Sequence, residues 1–123
     1  EAPDGTTEHL NCSAVYVIKA RYYAGSWVLA PTAELGSRHF QVILLTRARR
    51  RDFFRFLLQI ARGRDPAELA FVQSLPASRL TIIAKDKISR LAAFQADGDT
   101  LAVQPYEIRM ADQSVTYCLP IPE

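Results

Sequence analysis

Residues 40–46 read Phe40-Gln41-Val42-Ile43-Leu44-Leu45-Thr46, and this run decides the fold. Its apolar residues follow one another without alternating, which describes a strand covered on both faces. Just downstream the period changes. Within RRDFFRFLLQIARG, residues 50–63, the apolar positions Phe53, Phe56, Leu57 and Ile60 are spaced i, i+3, i+4, i+7, as on one side of a helix. Arg51, Arg55, Gln59 and Arg62 fall on the opposite side. Gly63 is the expected left-handed terminator and Pro66 prevents continuation, so the spacing predicts a helix from Arg49 to Arg62.

Around this pair the chain reads as strands. Cys12 to Tyr23 (CSAVYVIKARYY) is rich in Val, Ile and Tyr and predicts one long strand. WVLAP is a short strand halted by Pro31, and FVQSL is another, placed before Pro76. RLTIIAK, RLAAFQA, DTLAVQ, YEIRM and VTYCL follow at intervals of about ten residues. One helix among many short strands predicts a mainly β fold, an antiparallel β-sandwich with one main amphipathic helix inserted. Residues 1–10 lack periodicity and read as a flexible lead-in, with a single domain over 11–123.

Composition is that of an ordinary globular chain: 123 residues, 49% hydrophobic and 23% charged. No apolar run approaches the ~20 residues that span a bilayer, and the polar, acidic beginning does not read as a signal peptide. The sole methionine is Met110, so the chain is expected to be a piece of a longer protein. Cys12 and Cys118 are expected to be buried, reduced thiols of a cytosolic protein, with a disulfide between first and last strands as the alternative, and with only His9 and His39 as imidazoles no zinc site is expected. The net charge is +2, yet seven of the fifteen basic residues crowd between Arg47 and Arg64, with Asp52 the only acid among them. A solvated helix face is the first reading of this cluster; against it, Arg49, Arg50 and Arg51 stand at the helix N-terminus, where they oppose the macrodipole and where an anionic partner would compensate. Phe53 and Phe56 fall on the core-facing stripe, so exposed aromatics are not expected between the arginines, and nucleic acid is not an expected partner. Tyr22, Tyr23 and Trp27 surround Gly25; core packing is the first reading for them and an apolar acyl-chain groove the second.

Phe94 to Leu101 reads FQADGDTL. Asp-Gly between strand-like runs is the chemistry of a two-residue type I′ hairpin turn. Such a turn can also present a carboxylate at a strand end, so turn and site are compatible readings.

Two stretches together resemble a known family. Ala20-Arg21-Tyr22-Tyr23-Ala24-Gly25-Ser26, then Leu29-Ala30-Pro31 and Ala33, is similar to the N-x-R-Y-Y-G-G-G…L-A-P-x-A pattern of bacterial diacylglycerol kinase-like lipid kinases, whose superfamily includes the sphingosine kinases. Gln95-Ala96-Asp97-Gly98-Asp99, then Pro105, Ile108 and Leu119-Pro120, resembles the Q-x-D-G-E…P…I…P ending of the same family. The resemblance runs from about Ala14 to Pro120 and corresponds to the C-terminal β-sandwich domain of these two-domain enzymes.

The resemblance implies a parent that transfers the ATP γ-phosphate to a hydroxyl of diacylglycerol or a related lipid. A missing N-terminal nucleotide-binding domain with a Gly-Gly-Asp-Gly-Thr loop would be its partner half; this chain contains no such loop. ATP and magnesium would be cofactors of the full-length protein, with none expected on this fragment. Asp97 would be the general base, and Asp99 and Gly98 would face the nucleotide, Asp99 being one methylene shorter than the family's glutamate. Arg49, Arg50, Arg51, Arg55, Tyr22 and Tyr23 would meet lipid, phosphate or an anionic membrane surface, with the parent cytoplasmic and peripheral at the inner membrane face.

One loop departs from the pattern. Where the family has A-x-L-D-D-G-x-L-D, whose oxygens can hold magnesium, the chain has Ala33-Glu34-Leu35-Gly36-Ser37-Arg38-His39-Phe40-Gln41. Glu34 alone would not hold a hard dication. No magnesium site is expected there, Arg38 is expected to replace the ion's charge, and His39 is expected to be structural. The loss of the acidic loop keeps a second reading open: a non-catalytic sandwich module that binds anionic membrane or a protein partner.

Overall fold

The computed structural model describes residues 1–23, 25–83, 94–101 and 105–116. At its centre lies a three-stranded antiparallel sheet in the order β1 (Ala14–Ile18), β4 (Phe40–Leu45), β5 (Val72–Ala77). All six residues of β4 are buried, as its unbroken apolar run predicts. Its side chains divide between two cores. Ile43 and Leu45 join Ile18, Leu29, Ala30, Phe56, Ile60 and Val72 under the helix α1 (Arg50–Ala61). Phe40, Val42 and Leu44 join Ala77 on the other face, where Leu80 and Ile108 of a second sheet pack against them. That second sheet pairs β6 (Arg79–Ile82) with β9 (Tyr106–Arg109), so the layers run helix, sheet, sheet. The mainly β, antiparallel fold with one inserted helix is the predicted one.

The helix starts and stops where its sequence says. The Arg49 backbone N–H donates to the Asp52 carboxylate at 2.9 Å, the N-terminal half of a capping box. At the other end Gly63 has φ 67°, its N–H donates to the Ile60 carbonyl, and the Arg64 N–H donates to that of Gln59. This is a Schellman closure, which favours glycine because a Cβ is strained at positive φ.

Several strand expectations need correction. The segment Cys12–Tyr23 is two strands: β1 ends at Ile18, and Tyr22–Tyr23 forms β2, paired with β3 (Trp27–Val28) in a separate ribbon. In the break, the Lys19 side chain reaches residues 34–39 and the Arg21 side chain reaches the Pro31 carbonyl. Strand β5 runs through Pro76 instead of stopping before it. Among the described residues it lies at an edge of its sheet, where the missing N–H of a proline need not cost a ladder bond. Val115 and Thr116 are not in a strand, and the rest of VTYCL, with Cys118 and Leu119-Pro120, lies outside the described residues. Cys12 is a free, exposed thiol and not a buried one, since it precedes β1 and lies beyond its pairing with β4.

Candidate functional site

The Asp97-Gly98 pair is a hairpin turn. β7 (Phe94–Ala96) pairs with β8 (Asp99–Leu101), Ala96 facing Asp99 across a two-residue loop. Asp97 has φ 50° and Gly98 φ 96°, the two positive values that a type I′ turn needs. Gln95 braces the loop, its Nε2 donating to the Gly98 carbonyl at 3.2 Å. Asp97, Gly98 and Asp99 are all exposed. The hairpin is fastened to the second sheet by Phe94, whose ring stacks on Tyr106 of β9 with centroids 4.0 Å apart and planes 12° from parallel. A carboxylate at the tip of so small a hairpin is open to solvent and to any surface placed against it.

The first motif is a structural clamp. The Arg21 carbonyl accepts from the N–H groups of Leu29 and Ala30, and its guanidinium Nε donates to the Pro31 carbonyl at 3.2 Å. Arg21 thereby binds the two halves of the R-Y-Y…L-A-P pattern together and seats Leu29 and Ala30 in the core, 2% and 1% exposed. Tyr22, Tyr23 and Trp27 remain exposed, which corrects the expectation of core packing. Their two-residue strands form a ribbon beside α1, and the residues after it supply the buried contacts. Beneath the ribbon, Tyr16 stacks on Phe56 at 5.5 Å, and burial, with Tyr23 close by, holds its phenol above the ordinary value.

The outer side of α1 corrects a second expectation. Phe56 and Ile60 are its buried residues, while Phe53 and Leu57 are 41% and 38% exposed, and Phe54 and Leu58 are more so. The helix lays only a narrow i, i+4 stripe on the sheet. Phe53 stacks on Phe56 at its outer edge and, with Ala14, Leu45, Ala48, Arg49, Arg50 and Phe54, lines a shallow apolar groove. Exposed aromatics therefore do interleave with the arginines. Arg50, Phe54 and Leu58 share one helical row, and Arg51 and Arg55 the adjacent one. Asp52 lies 4.0 Å from Arg51 and 3.9 Å from Arg55, offsetting part of the charge at the helix start, and the Arg55 guanidinium also sits over the Phe71 ring at 5.9 Å. Arg49 and Arg50 are exposed at the mouth of the groove.

The candidate residues form two groups. The arginines and the tyrosine ribbon share the helix layer, whereas Asp97, Gly98 and Asp99 hang from β9 on the far side of the central sheet. Among the described residues, no three His, Cys, Asp or Glu side chains gather as metal ligands would.

The family model for the YegS C-terminal NAD kinase beta sandwich-like domain matches residues 2–118. The chain belongs to this family. Both the hairpin and the arginine helix fall inside the matched span, so the layers described above are those of a kinase-family C-terminal domain. No curated protein and no solved structure matches the chain.

Sequence reasoning missed Lys19. In the loop where the family resemblance implies magnesium, the cation among the oxygens is the Lys19 ammonium, while Arg38 is exposed. Nothing in the period or spacing of residues 14–23 marks Lys19, because its role depends on a loop fifteen to twenty residues away. The loop does not fit a hard dication, since its converging oxygens are uncharged and already engaged.

Proposed function

We propose that this domain is the C-terminal half of an ATP-dependent lipid kinase and that Asp97 is its general base. The observation that carries the reading is the type I′ turn: it holds an exposed carboxylate at a hairpin tip, in a domain of a kinase family. The lipid hydroxyl oxygen would attack the γ-phosphorus as the bond to the β–γ bridging oxygen breaks. Asp97 would take the hydroxyl proton and ADP would leave. ATP and magnesium belong to the N-terminal half in this reading, with Gly98 and Asp99 on the wall facing the nucleotide. The test is to incubate the full-length parent with ATP and micellar diacylglycerol or a sphingoid base. Phosphorylated lipid and ADP in equal amounts are expected; no transfer to any long-chain alcohol refutes the proposal.

The second reading rests on the outer side of α1. Arg50 and Arg51 beside exposed Phe54 and Leu58 suit an anionic membrane, the rings entering the headgroup boundary and the guanidinium groups meeting lipid phosphates. Tyr22 and Tyr23 extend the same layer. This contact serves a peripheral kinase at the cytosolic membrane face, and it also serves a non-catalytic module. Because the arginines and Asp97 lie in different layers, the arginines are assigned to the membrane and not to the transferred phosphate.

A further inference from the structure

We infer that Lys19 is a tethered cation that organises loop 34–39 in place of a bound metal ion. Its Nζ donates to the Glu34 carbonyl at 3.3 Å, to Ser37 Oγ at 3.0 Å, to the His39 carbonyl at 3.0 Å and to the Ser37 carbonyl. Four oxygens from one loop thus converge on a single ammonium. Ser37 Oγ also lies 2.8 Å from both the Glu34 and the His39 carbonyls, so the loop is drawn around this point by its own side chain as well.

The chemistry of the cradle selects a monovalent cation. Three of its oxygens are backbone carbonyls and the fourth is a hydroxyl; the Glu34 carboxylate is not among them. Magnesium and calcium favour carboxylates. An ammonium offers three N–H donors and one positive charge, shared here among four uncharged oxygens. Glu34 is the one acid of residues 34–39, and a single tethered charge matches a loop so poor in negative charge.

Chain topology puts the ammonium there. Lys19 directly follows Ile18, which is buried and paired with Gln41, so β1 delivers the side chain beside the point where the loop enters β4. The ion is therefore supplied at no cost in association, and the loop keeps its shape whatever the divalent-cation concentration. This inference is independent of the kinase reading, because its readouts are structural.

Thermal melting of the chain tests it. The wild type should melt at one temperature in excess EDTA and in millimolar magnesium. Lys19→Met, which keeps the stem and removes the charge, should melt about 5 °C lower. Lys19→Ala should also melt lower and recover part of the loss in methylammonium. A magnesium-dependent rise in the wild type, a Lys19→Met variant that melts like the wild type, or rescue of Lys19→Ala by magnesium in place of methylammonium would each overturn the inference. If neither variant folds, the 15N resonance of the wild-type Lys19 ammonium decides. Slow proton exchange supports the inference, and exchange as fast as in free lysine overturns it.

Discussion

Strand β4 and the hairpin β7–β8 are both antiparallel pieces of one domain, yet they are held in opposite ways. β4 is paired on both edges and covered on both faces. Among the described residues the hairpin pairs only within itself; it is exposed along its tip and tied to the second sheet through the Phe94–Tyr106 stack. Among the described residues, then, β4 and its neighbours form the buried core, while the hairpin holds exposed carboxylates at its tip. Substitutions should then divide cleanly into those that unfold the domain and those that change only what its tip can do.

Phe56→Ala removes a ring that is 1% exposed between α1 and the central sheet, and should cost about 3–5 kcal/mol in denaturant unfolding. A cost below roughly 1 kcal/mol would mean that the helix layer is not part of the core. On the helix's outer side, replacing Arg50, Arg51 and Arg55 by Gln should leave folding nearly unchanged. Binding to anionic vesicles should weaken by about two orders of magnitude, at roughly 1 kcal/mol per arginine. Equal binding of the variant and the wild type would return these side chains to a solvated surface.

Smaller effects belong to the hairpin. Gly98→Ala places a Cβ at φ 96°, where space is open but the backbone is strained, at about 1–2 kcal/mol. Because the described contacts tie the hairpin to the second sheet through the Phe94–Tyr106 stack, that loss should appear as local opening, seen in hydrogen exchange at β7 and β8, with β4 protection unchanged. Loss of protection in both would make the two regions one cooperative unit. The smallest effect is one of pH. The folded-state value of Tyr16 is raised above 10.0, chiefly by burial, so the unfolded chain gives up this proton first. Its contribution is complete below pH 10 and is lost as pH rises through the folded value, which melting followed against tyrosine absorbance would show.

The same contrast explains what the sequence made legible. The β4 run, the helix limits, Gly63 and the Asp97-Gly98 turn depend on local period and local backbone chemistry, and all stand where the residues place them. Phe53 and Leu57 escape that logic because periodicity gives a direction around the helix but not the width of the surface beneath it. The tyrosine ribbon escapes it because two-residue strands carry no period at all. Lys19 and Arg21 hold their partners through side chains that cross to backbone carbonyls of another segment, and composition does not encode such a contact.

Asp97, the proposed general base, sits exposed at the hairpin tip. The most direct measurement is lipid phosphorylation by the full-length parent carrying Asp97→Asn, beside its melting curve. Asn tolerates the left-handed turn, so stability should stay within about 0.5 kcal/mol of the wild type while phosphoryl transfer is lost. Transfer at the wild-type rate in a folded Asp97→Asn protein would contradict the account.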